Sequence, residues 1–361
     1  MLIDIATASP PYKVDKRYAA DELKKRMGGT SIISRLIDMA ANQSGIDHRF
    51  VVIPDGDEKS TEKFFTKNGN HFSPDIKSRM TEYEKWATLL VIKAVKDLSE
   101  KNKIDFSFID RLITISCTGF FAPGLDYELI NEFKISPSVK RTNIGFMGCA
   151  ASLIGINSVW EAMRQNGNEN VLMISVELCS LHLQTEPTRD NILANMIFAD
   201  GAAAAFFSKR NISEKRYLEI QFAESFLFEN SAKFMGWKIG NNGFEMMLSS
   251  ELPKIILNSA APKAKEILMQ REVDIAKVKN WALHPGGRAI LDSLQNGLEL
   301  SDEQMKPSRK ILRYFGNLSS VSILFVLKNI IDNESLQKDD YCCAIAFGPG
   351  LTMELVLFKV V

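Results

Sequence analysis

Gly145-Phe-Met-Gly-Cys149-Ala-Ala-Ser-Leu-Ile-Gly-Ile-Asn-Ser-Val-Trp160 is the stretch on which the reading of this chain turns. From Ala150 onward it is apolar or small on nearly every face. That describes a helix in the middle of a layered fold rather than a surface helix with one polar stripe. The glycines before it make a sharp turn, so a strand hands over to the helix at Cys149. A thiol placed there lies beside helix-terminal amides, whose partial positive charge favours the thiolate and lowers its pKa. Two readings stay open on these residues alone: a nucleophile, and a core cysteine beside turn glycines.

Working outward, short apolar runs at 111–116, 170–176 and 201–207 predict buried strands, and a second set follows at 278–283, 341–347 and 352–358. Their alternation with longer helical patterns predicts an α/β protein of two similar halves. The polar, charged stretch 208–216 separates the two sets and places a boundary between residues 1–208, which carry the cysteine, and 209–361. Thr81-Glu-Tyr-Glu84 fits a capping box, which predicts an amphipathic helix starting there with Trp86, Leu89, Leu90, Ala94 and Leu98 as its apolar stripe. The polar segment 55–73 reads as an irregular surface excursion.

The bulk numbers exclude several classes. A chain of 361 residues, with 45% hydrophobic and 24% charged residues, can bury a large core and is neither disordered nor fibrous. Lys+Arg and Asp+Glu both number 44, so no global field recruits nucleic acid or a membrane surface, and an anionic ligand must be met by a local patch. The absence of a basic leader and of a run of about 18 apolar residues points to a cytoplasmic protein. The five cysteines, Cys117, Cys149, Cys179, Cys342 and Cys343, form no CxxC and have no histidine at metal-ligand spacing, so neither disulfide staples nor a zinc site is expected.

Partners for Cys149 are at hand. In Trp281-Ala-Leu-His284-Pro-Gly-Gly287 a histidine ends a strand and enters a tight turn, where it can take the thiol proton; His48 and His182 compete for that role. Asn317, in Tyr314-Phe-Gly-Asn317-Leu-Ser-Ser320, is either a helix cap or an amide donor for an oxyanion. The tight Ala346-Phe-Gly348-Pro349-Gly350 joins two strands and is either a structural turn or a rigid pocket wall.

In this order the motifs resemble the type III polyketide synthases, the chalcone-synthase-like branch of the thiolase fold. Those carrying the resemblance are Cys117-Thr-Gly-Phe-Phe-Ala-Pro-Gly-Leu-Asp-Tyr127, Gly145-Phe-Met-Gly-Cys149, Phe198-Ala-Asp-Gly-Ala202, Leu283-His-Pro-Gly-Gly287, Gly316-Asn-Leu-Ser-Ser320 and Phe347-Gly-Pro-Gly-Leu-Thr352. The resemblance implies an α/β thiolase-like fold whose two halves make five layers, α-β-α-β-α, and a homodimer. It implies that Cys149 accepts the acyl group from a CoA thioester and that His284 and Asn317 stabilise the enolate left when malonyl-CoA loses carbon dioxide. No metal or redox cofactor is then needed. Phe198 matches a gatekeeper aromatic, and Glu177 falls in a segment implied to line the cavity. Arg49 and Arg288, with the adjacent Ala289, are candidates for holding CoA phosphates.

Departures from the plant pattern fall where the cavity should be. Met246 stands at a second gatekeeper phenylalanine, His182 and Cys117 at two cavity threonines, and Ala122 at a methionine that reaches across the plant dimer. Together with motifs closer to bacterial members, they imply a fatty acyl starter and an alkylpyrone or alkylresorcinol product. The alternatives are a single-condensation enzyme like β-ketoacyl synthase III and a non-catalytic acyl-CoA-binding scaffold.

Overall fold

The computed structural model describes residues 1–166, 169–209, 216–332 and 336–361. Residues 210–215 of the expected boundary stretch lie outside the described residues. The strands used below, in chain order, are β1 (Leu2–Ala8), β2 (Arg111–Ser116), β3 (Lys140–Gly145), β4 (Val171–Leu178), β5 (Asp200–Phe207) and β6 (Leu218–Leu227). A separate hairpin of β7 (Met235–Gly240) and β8 (Gly243–Leu248) follows, and then β9 (Val278–Leu283), β10 (Tyr341–Gly348) and β11 (Thr352–Val360). The helices used below are α1 (Lys16–Arg26), α2 (Ile76–Asn102), α3 (Ala151–Asn166), α4 (Arg189–Ile197), α5 (Arg288–Leu298), α6 (Asp302–Phe315) and α7 (Ser322–Ile331).

Apart from the hairpin and two short two-stranded ribbons, Tyr12–Asp15 with His48–Val51 and Thr66–Lys67 with Asn70–His71, the strands share one mixed sheet, ordered β9-β10-β11-β6-β1-β5-β4-β2-β3. Its two sides repeat one pattern. On one side β1 runs antiparallel to β5, β5 antiparallel to β4, and β4 parallel to β2. On the other, β6 runs antiparallel to β11, β11 antiparallel to β10, and β10 parallel to β9. The sides meet through the single register pair Leu2↔Leu218. Helices α3 and α7 pack against strands of both sides and form the middle layer, α2 covers β1, β4 and β5 from outside, and α6 covers β9. Five layers result, as the thiolase-like expectation had it. Every residue of β4 and β5 is buried, as strands covered on both faces must be.

The middle-layer core, with Ala150, Ala151, Leu153 and Ile156 of the Cys149 segment, is shared with Leu324, Val326 and Leu327 of α7. Small residues are required there: a Cβ on Gly155 would lie 2.7 Å from Ile115 Cδ1 and 2.8 Å from Met173 Sδ. The expected strands at 111–116 and 278–283 have those bounds, and the others shift or extend by one or two residues at an end. The helix expected to begin at Thr81 begins five residues earlier. Asp75 caps it by accepting from Ser78 N at 2.8 Å, and Thr81 lies inside, donating to the Lys77 carbonyl. Its buried face holds Tyr83, Ala87, Val91 and Val95 as well as Leu90, Ala94 and Leu98, while Leu89 is exposed, so the stripe was placed partly on the wrong face. No helix among the described residues is long and apolar enough to cross a membrane, and no cluster of metal-ligating side chains occurs among them.

Candidate active site

Strand β3 ends at Gly145, and the chain turns through Phe146 and Gly148, both in the left-handed region at φ 59° and 61°. Glycine fits this conformation, whereas Phe146 occupies it at a cost of about 1–2 kcal/mol. The turn leads into the short 3-10 segment Gly148–Ala150 and on into α3, so Cys149 stands buried at the entrance of the central helix. Pro349 closes over it: a Cβ on Gly148 would sit 2.4 Å from Pro349 Cδ. A Cβ on Gly348 would sit 2.6 Å from the Met147 carbonyl oxygen. The Gly-Pro-Gly turn is therefore a wall pressed onto the cysteine segment. Pro349 faces the cavity; Gly348 and Gly350 serve the packing behind it.

Cys149 is shared by two adjoining cavities. One, with about 430 Å³ of empty space, is also lined by His284, Asn317, Phe198, Met246 and apolar residues that include Leu252, Ile256 and Phe347. The other, with about 660 Å³ and partly open to solvent, is lined by Cys117, Cys179, His182, Phe198, Trp237, Phe244, Met246 and Pro349. The structure thus brings Cys149, His284 and Asn317 from three separate segments to one cavity. Of the competing histidines, His48 packs on Tyr314 and Phe50, away from the cysteine.

His284 follows β9 and is held by its backbone, its N–H donating to the Ile345 carbonyl at 2.9 Å and its carbonyl accepting from Gly286 N at 2.9 Å. Its ring is buried, and neither nitrogen has a hydrogen-bond partner among the described residues. Burial pushes its pKa down to about 3, so the imidazole is neutral. Asn317 Nδ2 donates to the Gly286 carbonyl at 3.2 Å and also hydrogen-bonds the Cys149 thiol. Its Oδ1 accepts from Ser319 N at 2.9 Å, so the capping reading holds in part: Asn317 fixes the turn that feeds α7.

The expectation of a lowered Cys149 pKa is corrected, although a backbone amide, that of Cys149 itself, does pull in that direction. Burial pushes the thiol up to about 12, with Glu177 adding in the same direction, against hydrogen bonds from Ser319 and Asn317 that pull it down. The Sγ–Ser319 Oγ separation is 3.8 Å. Burial penalises thiolate and imidazolium separately, and proton transfer between the two groups creates both charges at once as a pair of zero net charge.

The remaining expected residues divide by location. Phe198 ends α4 half-buried, and its backbone is bridged to Asn317: Ala199 N donates to the Asn317 carbonyl and Asn317 N to the Ile197 carbonyl, both at 2.8 Å. His182 is fully partnered. Its Nδ1 accepts from Phe244 N at 3.0 Å, so Nε2 carries the proton toward the Thr118 carbonyl at 2.6 Å. Its ring stacks on Phe244 at 4.1 Å, and burial lowers its pKa to about 3. Cys117 lines the cavity and its carbonyl accepts from Trp237 Nε1 at 2.7 Å. Glu177 does not line it. Its carboxylate is wholly buried, accepting from Cys117 N at 3.0 Å, Thr118 Oγ1 at 2.8 Å and Ser320 Oγ, and it ties together the segments on either side of Cys149.

Arg49 sits behind the site, its Nη1 donating to the Phe198 carbonyl at 2.8 Å. Arg288 and Ala289 are exposed at the start of α5, Arg288 only loosely paired with Asp292 at 3.6 Å. Sequence reasoning missed Met235, Trp237 and Phe244, which reach the site on the β7–β8 hairpin, and Ser319. The Gly240-Asn-Asn-Gly243 turn was a signal for that hairpin.

Residues 219–361 match the family profile of chalcone and stilbene synthases, C-terminal domain. Residues 61–221 match that of the FAE1/type III polyketide synthase-like proteins. The chain is 30% identical over 290 residues to the alpha-pyrone synthesis polyketide synthase-like Pks18 of Mycobacterium tuberculosis, a match covering 79% of this chain and 74% of that protein. It is 29% identical over 367 residues to a putative chalcone synthase of Bacillus subtilis, covering 99% and 98%. The crystal structure of PKS-I from the brown alga Ectocarpus siliculosus superposes with a TM-score of 0.92 at 29% identity, covering 100% of this chain and 98% of that one.

Proposed function

This chain belongs to the type III polyketide synthases, enzymes that form carbon–carbon bonds by iterated condensation, and we propose that Cys149 carries the growing chain while His284 and Asn317 run the decarboxylation. The observation that supports these roles is the buried imidazole of His284, with both ring nitrogens unpartnered, facing the same cavity as Cys149 and Asn317.

In loading, His284 takes the Cys149 proton, the sulfur attacks the starter thioester carbonyl, and the proton leaves with the CoA sulfur. Malonyl-CoA then binds in the same cavity and loses carbon dioxide, and the electron pair of the broken bond becomes a thioester enolate. A neutral His284 N–H and the Asn317 N–H not held by Gly286 donate to its oxygen, and burial is what keeps that imidazole neutral. The enolate carbon attacks the acyl-cysteine carbonyl, forming the new bond and releasing the Cys149 sulfur, which takes the chain back for another round before ring closure. No step calls on a metal or redox cofactor.

The starter is a medium or long fatty acyl-CoA. Met235 and Met246 line both cavities next to the cysteine, and flexible thioethers adapt to an alkyl chain. The product class that follows is an alkylpyrone or alkylresorcinol. The exposed Arg288 and neighbouring Ala289 mark the side from which CoA enters. The open edge of β3, with exposed Met147 and Phe120 beside it, would seat a second copy. Specificity constants from acetyl-CoA to palmitoyl-CoA, alongside an aromatic starter, test the starter reading: each methylene buried contributes about 0.8 kcal/mol, or about fourfold, until the cavity is full. A flat series or an aromatic preference refutes it, and product masses showing a single two-carbon addition refute iteration.

A further inference from the structure

Arg79, on α2, is wholly buried, yet the oxygens that accept from it are all neutral. Its Nε donates to the Pro74 carbonyl at 2.8 Å and its Nη2 to Ser73 Oγ at 3.0 Å. Nη1 donates to the Leu181 carbonyl at 2.5 Å and to the Leu183 carbonyl at 3.2 Å. A buried charge whose donors meet no carboxylate is expensive, and an apolar side chain of similar volume would fill the same space at lower cost. The position is explained instead by what the guanidinium holds.

What it holds is one wall of the larger cysteine cavity. Leu181 and Leu183 flank His182, so a single nitrogen grips the chain on both sides of that ring. The ring in turn accepts from Phe244 N, donates to the Thr118 carbonyl, and stacks on the Phe244 ring with the planes 9° apart. Trp237 meets it edge-on at 5.7 Å. Thr118, His182, Trp237 and Phe244 all line the cavity beside Cys149. The second hold is on the β7–β8 hairpin: Gly243, at φ 106°, closes onto the guanidinium so tightly that a Cβ there would lie 2.7 Å from Nη1. That hairpin lies outside the main sheet and packs on the body through Cys179–His182 and α4. Arg79 stands where the two meet. Only a neutral His182 can accept from Phe244 N, and burial, with the Arg79 charge adding to it, keeps the ring neutral.

We infer that Arg79 is a positioning residue for chain extension: by gripping both sides of His182 and backing the hairpin turn, it fixes the wall against which the growing chain stops and so sets the number of extensions. The inference rests on the reading that Cys149 carries the chain.

The test reads product masses from one starter and malonyl-CoA in wild type and in Arg79→Gln. The ratio of the main product to those one two-carbon unit longer or shorter falls by roughly tenfold or more in the variant, the size expected of a lost hydrogen bond to a charged donor. Because the ratio is taken within one sample, a smaller folded fraction does not move it. Arg79→Lys, which keeps the charge without the planar fork, falls between the two. His182→Phe lowers the same ratio, and adding Arg79→Gln to it shifts the ratio no further, since Arg79 acts through that ring. Should Arg79→Gln fail to fold, Gly243→Ala, whose methyl displaces the guanidinium, gives the same shift. An unchanged ratio in a folded variant, or effects of Arg79→Gln and His182→Phe that simply add, overturn the inference. Intact-protein mass spectrometry separates the two ideas. Acyl loading on Cys149 with an unchanged product ratio overturns the role of Arg79 alone, and no loading on Cys149 of the wild type overturns both.

Discussion

Gly148→Ala is the substitution whose consequence follows most directly from the packing around the cysteine. Gly148 has φ 61°, a conformation that costs an L-residue about 1–2 kcal/mol. The added methyl would lie 2.4 Å from Pro349 Cδ, inside any tolerable contact, and overpacking of this kind costs about 1–3 kcal/mol. Together these give a destabilisation of about 2–5 kcal/mol, which for a chain of this length lowers Tm by about 3–7 °C. If the chain relieves the overlap by shifting the Cys149 segment, the loss appears in catalysis instead, where a displacement of about 1 Å can cost about a hundredfold. The assay is a double-mutant cycle with Pro349→Gly, reading both Tm and the rate of acyl loading. Removing the proline ring should recover the overlap part of the loss and leave the backbone part. Unchanged Tm and loading in Gly148→Ala, or strictly additive effects in the cycle, would refute the reasoning that the Gly-Pro-Gly turn holds the nucleophile in place.

Three further outcomes are expected. His284→Gln and Asn317→Ala each slow carbon dioxide release from malonyl-CoA by about 10²–10³, and do so less than additively when combined; unaltered release excludes them from that step. His182 has a folded pKa of about 3 against an ordinary 6.5, so between those values the unfolded chain binds the extra proton. The stability from its neutral burial is full above pH 6.5 and lost as pH falls toward 3. The stability gap between wild type and His182→Phe, measured by urea unfolding, should therefore narrow from about pH 7 to about pH 4.5, and a constant gap would contradict the burial account. Arg288→Glu raises KM for CoA thioesters but not for a truncated pantetheine thioester, whereas Arg49→Met impairs both equally because it loosens the Phe198 carbonyl; the reverse pattern would make Arg49 the phosphate contact.

Much of the fold could be read from the sequence where burial is uniform. Gly201–Phe207 and Cys342–Phe347 are continuous apolar runs, and a run of that kind announces a covered strand. Leu218–Leu227 was not legible, because Glu219, Gln221 and Glu224 interrupt it at a position where one face stays partly open. The start of α2 was misplaced for a local reason: Thr81 has the right spacing for a cap, but Asp75 six residues before it is the stronger acceptor and lies beside Pro74, where a helix can begin. At the site, Cys149, His284 and Asn317 were visible because each is a reactive side chain at the end of an element. Ser319 and the hairpin residues Met235, Trp237 and Phe244 were not, since their place beside the cysteine comes from tertiary packing. The resemblance put Glu177 in a segment lining the cavity, yet it faces Ser320 and Thr118 because a buried carboxylate must find donors. The thiol's raised pKa was equally hidden: helix amides are visible in sequence, and the depth of burial is not.

The central claim is that Cys149 carries the acyl chain. Intact-protein and peptide mass spectrometry after incubation with a fatty acyl-CoA tests it most directly. One acyl group on the peptide containing Cys149, and none on Cys149→Ala, is the predicted result. An acyl adduct that persists in Cys149→Ala, or one found on Cys117 or Cys179, would contradict it.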